Sequence, residues 1–451
     1  MTTADDRPTT GTDVYAEDRA YVFYSWSAQS ALHPMVIAGA AGSYVWDDAG
    51  RRYLDFSSQM VNTNIGHQHP KVVAAIQEQA SRLCTIAPVH ANDQRSRAAH
   101  LIVDRARTGE GTKVFFTNGG AEAIEYATRM AKLHTGRPKV LAAYRSYHGG
   151  TTTAVNLSGD PRRWANDTGS AGAVHFFGPF PYRSPFNSSG PEEESVRALA
   201  HLEQVIQFEG PTTIAAVVLE TIPGTAGIMP PPPGYLAGLR ALCDRYGIVY
   251  VADEVMCGFG RAGEWFAVDH WKVVPDLLCM AKGLTSSYLP LGAVGMRHHI
   301  AQHFQDKVFF GGLTYNSHPM GCAAALATIR VYEEDNLIDN AKKMGALMKQ
   351  LGKEMQAKHP SVGDYRNIGL FGIFELIRNR KTKQPMAPFN GTSDEMAALG
   401  KFFREQGLYT LVRWNTFFTN PPLCINEQQL REAFAIIDKG LEITDKAVVD
   451  S

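Results

Sequence analysis

The chain of 451 residues is predicted to be an α/β protein, with a mostly parallel sheet covered by helices on both faces and a second, smaller α+β unit. Three observations carry this expectation. From about residue 70 to about residue 330, helical spacing of apolar residues alternates with short apolar runs. Those runs are apolar throughout rather than at every second position, as in strands buried on both faces. Beyond about residue 330 helices and short strands follow with a different texture. The expected division is 1–69 as an N-terminal arm and part of the smaller domain, 70–330 as the large domain, and 331–451 as the C-terminal part of the smaller one.

The elements follow in chain order. Residues 1–20 are polar and read as a frayed or partner-bound arm; residues 43–56 read as a hairpin around Asp48-Ala49-Gly50 that can join the C-terminal lobe. Helical spacing covers 71–83, a short strand 114–116, and a helix 121–134 that stops at Gly136, a C-cap residue. Strands are expected at 139–145, 214–220, 248–254 and 277–283, with a helix at 235–247 entered through the stiff Pro230–Pro233 run. In the last third, 395–407 is helical and 408–414 strand-like. A final helix starts near Glu427, with Asn426 as N-cap and Gln429 at the capping-box position.

A net charge of −1 removes the electrostatic case for nucleic acid or an anionic membrane as the main partner. Apolar runs of about eight residues are too short to span a bilayer, and the first twenty residues lack a signal-peptide core. Six scattered cysteines with no C-x-x-C pair fit free thiols in a reducing compartment, so a cytoplasmic location is expected. No internal repeat or low-complexity segment occurs.

Chemistry enters where the apolar run 248–252 meets two adjacent acids, Asp253 and Glu254. In parallel sheets ligands bind beyond the carboxyl ends of strands, and buried carboxylates there need a cation or a proton. An Mg²⁺-nucleotide site would require G-x-x-x-x-G-K-S/T, and neither Gly-Lys pair, Gly352-Lys353 or Gly400-Lys401, continues to Ser or Thr. Gly258-Phe259-Gly260-Arg261-Ala262-Gly263 matches the dinucleotide fingerprint in letters only. It neither follows the first strand directly nor opens an apolar helix. His67-x-His69 lacks an evident third metal ligand, and no metal is expected. The remaining cation is Lys282, 29 residues beyond Asp253 at the end of the next strand. It is either an ion-pair partner or a Schiff-base lysine carrying pyridoxal phosphate, whose ring nitrogen needs an anion beside it. A flexible turn, Thr117-Asn118-Gly119-Gly120-Ala121, opens a helix and can hold a phosphate on bare N–H groups. Tyr147-His148-Gly149-Gly150 offers an aromatic face at another strand end, and Gly311-Gly312-Leu313-Thr314 a hydroxyl. Together, in this order, these favour the cofactor.

The same residues resemble the class III (omega-amino-acid and amine) aminotransferases of the fold-type I pyridoxal-phosphate enzymes, over roughly residues 20 to 445. The resemblance rests on Asn118-Gly119-Gly120-Ala121-Glu122-Ala123, Tyr147-His148-Gly149, Leu219-Glu220, Asp253-Glu254-Val255, Lys282-Gly283, Leu289-Pro290-Leu291-Gly292, Thr314-Tyr315 and His318-Pro319. It implies a large domain with a mostly parallel seven-stranded sheet and a smaller domain built from both termini. It implies that Lys282 carries the cofactor and serves as base and acid in the proton shift. Asp253 pairs with the ring nitrogen, and Val255 and Tyr147 cover the ring faces. Gly120 and Ala121 hold the phosphate, Thr314 reaches the phosphate of a neighbouring subunit, and His148 and Glu220 also lie at the cofactor. Trp26, Met60, Val61, Tyr147 and Arg413 fall at substrate-binding positions. The active site is then shared across a homodimer, which can pair further into a tetramer.

Two departures bear on substrate. Relatives that use 2-oxoglutarate usually carry E-P-x-Q-G-E, whose last Glu restrains a substrate-binding arginine, whereas here Glu220 is followed by Thr221-Ile222-Pro223-Gly224-Thr225. Asp253-Glu254-Val255-Met256-Cys257-Gly258 is similar to the pyruvate-dependent branch, in which an arginine at the place of Arg413 clamps the acceptor's carboxylate. The expected activity is a ping-pong transfer from an omega-amino acid, a taurine-like sulfonate or a primary amine to pyruvate, giving alanine. A 2-oxoglutarate-dependent aminotransferase, an aminomutase or racemase of the same fold, and a cofactor-binding partner module are the alternatives.

Overall fold

Seven strands form the central sheet of the computed structural model, which describes residues 10–106, 108–166 and 172–449. They are β1 (Lys113–Thr117), β2 (Lys139–Ala143), β3 (Ala173–Phe176), β4 (Ile214–Glu220), β5 (Val249–Asp253), β6 (Leu277–Met280) and β7 (Gly292–Met296). Their order is β1-β7-β6-β5-β4-β2-β3. The run from β6 to β3 is parallel, and β7 alone runs against its neighbours β6 and β1. Every residue of β4, β5, β6 and β7 is buried. Alternate residues go to opposite faces. Val217, Leu219, Tyr250 and Ala252 join the core under helices Pro191–Glu209 and Tyr235–Tyr246. Ala216, Val218, Val249 and Val251 join the core under helix Gly120–Thr135. With both faces covered, alternation in the sequence disappears.

The chain leaves β2 outward to β3, returns to β4 beside β2, and then builds β5 and β6 on the other side. The strand order therefore reverses between β2 and β4, which opens a crevice at their carboxyl ends. Helix Gly120–Thr135 starts at that end and stops where Gly136, at φ +69°, takes the left-handed conformation.

Two smaller sheets flank this unit. Strands Ile37–Ala41, Tyr44–Asp47 and Arg52–Asp55 form a meander that Leu408–Tyr409 extends in parallel, so both ends of the chain share one sheet. Val362–Ile368, Phe371–Asn379, Gln384–Pro385, Val412–Arg413 and Thr416–Thr419 form an antiparallel sheet. The single strand expected over 408–414 is thus two pieces in different sheets. Trp414, at φ +55°, turns Val412–Arg413 back onto Thr416–Thr419. The last helix, Glu427–Asp445, has the anticipated capping box between Asn426 and Gln429. Residues Gly11–Tyr21 of the expected arm are a helix capped by Thr10 and Asp13, with no buried residue; residues 1–9 lie outside the described part. Among the described residues no helix is long and apolar enough to cross a membrane.

Candidate active site

The carboxyl ends of the strands carry the chemistry. Glu220 and Asp253 end β4 and β5 and sit side by side in register. Beyond β6, Lys282 enters a tight turn at φ +35°. After β2 the chain bends at Arg145, φ +61°, and delivers Tyr147 and His148. With Asn118–Ala121 from the start of helix Gly120–Thr135, these residues line one cavity of about 390 Å³, together with Thr225, Val255, Met256 and Leu291. That volume suits a cofactor-sized ligand, since such pockets span about 300–1,000 Å³.

The two adjacent acids have different surroundings. Asp253 faces the cavity; its Oδ2 meets His148 Nδ1 at 2.7 Å, and its Oδ1 accepts the Val255 N–H at 3.0 Å. Glu254 accepts N–H groups of Ala267 (2.8 Å) and Val268 (2.9 Å) and the Cys257 thiol, so backbone dipoles rather than a cation hold it. Burial, opposed by those bonds, pushes its carboxyl up to about 7. Glu220 accepts the N–H of Tyr147 at 2.7 Å and of Gly224 at 2.8 Å, tying together two loops of the cavity wall. Burial and the neighbouring Asp253 charge push Glu220 up to about 7. Lys282 lies in the same wall, its carbonyl accepts the N–H groups of Thr285 and Ser287, and its amine has no hydrogen bond or ion pair among the described residues. Burial lowers its pKa, against the attraction of Glu220 and Asp253, which favours a free amine.

At the other end, the first N–H groups of helix Gly120–Thr135 have no carbonyl within the helix to pair with and carry its positive dipole end. Asn118 is turned aside by Glu122, which accepts its N–H at 2.8 Å and its side-chain amide at 3.3 Å. A Cβ on Gly120 would stand 2.8 Å from Val255 Cγ1, and one on Gly149, at φ +138°, would stand 2.4 Å from Ala121 Cβ. Anion donors at a helix start, a buried carboxylate across the cavity and an unpaired amine together fit pyridoxal phosphate.

The cavity mouth holds a second charged group. Asp160, wholly buried, accepts from Arg162 Nε (2.7 Å) and Nη2 (3.2 Å) and from Arg413 Nη2 (2.8 Å). The Arg162 guanidinium lies 3.4 Å from the centre of the Tyr147 ring and donates to Thr225 Oγ1 at 3.0 Å. Trp26 meets the Tyr147 ring edge-on at 6.4 Å and remains 64% exposed. Arg413 reaches this cluster through Asp160 rather than the cavity wall. Met60 is half exposed, Val61 packs with Met256 in a buried cluster, and Thr314 is exposed; none of them lines the cavity that this chain forms. Sequence reasoning missed Asp160 and Arg162. The Asp160-Pro161 pair signals a helix start, but nothing local shows that it faces Tyr147. His67 and His69 pair with different acids, Asp55 and Asp335, both at 2.9 Å. In the dinucleotide-like run, Arg261 is fully buried and donates to Ser58, Asn64 and the carbonyls of Leu370 and Pro421, joining segments far apart in sequence.

The chain belongs to the aminotransferase class-III family, whose model matches residues 25–441. It is a pyridoxal-phosphate-dependent aminotransferase with the fold-type I architecture. The solved taurine:2-oxoglutarate aminotransferase from Bifidobacterium kashiwanohense, in complex with PLP and glutamate, is 40% identical; the match covers 98% of this chain and 100% of that one, with a TM-score of 0.94. A putrescine–pyruvate aminotransferase of Pseudomonas aeruginosa is 34% identical over 92% of each chain. A mitochondrial gamma-aminobutyrate transaminase of Oryza sativa subsp. japonica is 32% identical over 93% of this chain and 83% of its own.

Proposed function

We propose that the enzyme takes the amino group from a short amine with an anionic tail, an omega-amino acid or small aminosulfonate, and passes it to a keto acid in a second half-reaction. The observation that carries this reading is the pair of guanidinium groups, Arg162 and Arg413, sharing the single carboxylate of Asp160 beside Tyr147. Two cations on one anion leave a positive charge for the tail of a substrate.

Bound pyridoxal phosphate supplies an electron sink for the bond-breaking at the donor carbon. In this reading Lys282 Nζ would hold the cofactor until the donor's amine displaces it, and the freed amine would then take the proton from the donor carbon that bears the amino group and hand it on. Asp253, oriented by His148, would keep the ring nitrogen protonated. Val255 and Tyr147 would cover the ring faces and Gly120 and Ala121 would hold the phosphate, while Glu220 fixes the Tyr147 loop. Trp26, Met60 and Val61 shape the substrate side, and Thr314 serves the phosphate of a neighbouring subunit in a homodimer. Residues 70–330 act as the cofactor-binding body, with the segments on either side as the smaller domain. The reduced, scattered cysteines fit a cytoplasmic enzyme.

For the acceptor, neutral Thr225 favours pyruvate. Yet Asp160 holds Arg413 as a glutamate at 225 would, so the arginine still has a gate. A dicarboxylate can use both guanidinium groups, and the relative of 40% identity is named for 2-oxoglutarate. We therefore place 2-oxoglutarate first and pyruvate second. The test supplies the cofactor-loaded enzyme with taurine, β-alanine or 1-propylamine, against 2-oxoglutarate or pyruvate, and measures glutamate or alanine. Anionic-tailed donors should exceed propylamine at least tenfold in kcat/KM; equal rates would overturn the donor assignment. Alanine without glutamate would reverse the acceptor order. Conversion of a donor with no acceptor present would point to a mutase or racemase.

A further inference from the structure

A second cavity, of about 220 Å³, adjoins the first, with Glu220 in the wall of both. Most of its lining is apolar, including Phe177, Phe180, Pro185, Leu219, Met229 and Pro231. Its polar side chains are unusual, because four buried polar atoms in this wall have no hydrogen-bond partner among the described residues: the Thr221 hydroxyl and three donors on longer side chains, Arg145 Nε, Arg183 Nη2 and Tyr235 Oη. Buried polar groups almost always find partners, and three unmatched donors around one space mark a missing acceptor.

The charges say which kind. Arg183 Nε donates to Glu375 at 2.5 Å, and Arg366 takes the other Glu375 oxygen at 3.0 Å and Asp364 at 2.8 Å. Arg145 has no ion pair among the described residues. The one hydrogen bond of its side chain among the described residues goes to the Ala226 carbonyl at 3.2 Å, and its guanidinium lies 4.6 Å from the centre of the Phe180 ring. Three guanidinium groups thus face the two carboxylates of Glu375 and Asp364; the third carboxyl, Glu220 in the wall itself, is pushed up to about 7 and is only partly charged, which leaves most of one positive charge. Burial lowers Arg145 to about 10, so the group is still charged at neutral pH. Tyr235, 1% exposed, adds a neutral donor.

We propose that this cavity is a binding site for a small monocarboxylate with an aromatic or branched apolar body, its carboxylate on Arg145 and the Tyr235 hydroxyl and its body against the Phe180 and Leu219 side. One excess charge matches a monoanion better than a phosphate dianion, and the apolar remainder of the wall suits a ligand charged at one end only. Its three donors are not in the lysine cavity, so the site stands or falls independently of the substrate reading above.

The test uses the cofactor-loaded enzyme with 4-bromophenylacetate, by calorimetry and by locating the bromine from its anomalous scattering in crystals. Saturable binding is expected, with the bromine in this cavity. The uncharged 4-bromophenylacetamide should bind at least tenfold more weakly. Arg145→Met should weaken the acid at least tenfold, Arg145→Lys less, and Arg413→Ala should leave binding at this cavity unchanged. The proposal is overturned by bromine confined to the lysine cavity, by equal affinity for acid and amide, or by ordered water on the three donors at saturating ligand. Should Arg145→Met fail to fold, the acid–amide comparison in the unaltered protein still decides.

Discussion

Replacing Asp160 with Asn isolates the charge at the cavity mouth. The side chain keeps its size and can still accept the Arg162 backbone N–H, now at 2.9 Å, that caps the following turn. What it loses is the anion shared by Arg162 and Arg413. A hydrogen bond to a charged partner contributes about 1.5–3 kcal/mol. Both arginine side chains are just under a fifth exposed, so water takes over part of that loss, and about 1.5 kcal/mol is the working figure. An anionic-tailed donor can supply the missing carboxylate and an uncharged amine cannot. The ratio of kcat/KM for β-alanine over 1-propylamine should therefore rise about tenfold in Asp160→Asn, mostly through a lower KM for the acid. Stopped-flow absorbance of the bound cofactor during the first half-reaction reads this directly, with thermal melting as the check on folding. An equal change for both donors would mean that Asp160 is merely structural, and a fall in the ratio would refute the gating argument.

Lys282→Ala should lower transamination by about 10²–10⁴-fold or more, the usual contribution of a positioned acid–base group; borohydride treatment followed by peptide mapping should label Lys282 in the parent and nothing in the variant. Gly120→Ala pushes a methyl to 2.8 Å from Val255 Cγ1. Overpacking of this kind costs about 1–3 kcal/mol, so cofactor release measured by dialysis should increase roughly five- to 150-fold, with partial rescue by Val255→Ala. Glu254 holds its proton up to about 7 in the folded chain, against 4.5 as its ordinary value. Between those pH values the unfolded state binds fewer protons than the native one, so stability falls as pH rises, by on the order of 3 kcal/mol from this group. Urea melts of the cofactor-free protein from pH 4.5 to 7.5 should show that slope together with a like one from Glu220, so Glu254→Gln should reduce it by roughly half; an unchanged slope would remove Glu254 as a source.

Much of the large unit is legible in the sequence because its strands are short, apolar and bounded. β4 and the helix Tyr235–Tyr246 lie within a residue of expectation, and Gly136 ends its helix as anticipated. Pro319–Glu334 is harder to see, because it is buried nearly all round and leaves no amphipathic period. The split of 408–414 is invisible locally, since hydrogen-bond partners in two sheets, rather than propensity, divide it.

Sequence alone determined the constituents of the candidate site: a lysine and an aspartate at successive strand ends, and a glycine turn before a helix. Strand ends in a parallel sheet converge whatever the loops do, so spacing along the chain translates into proximity. Only the tertiary structure decided which acid of the pair faces the cavity, that Asp160 joins Arg162 to Arg413 across about 250 residues, and that Arg145, Arg183 and Tyr235 are left without acceptors. Those outcomes depend on how buried charges from distant segments are shared, and no local pattern encodes that.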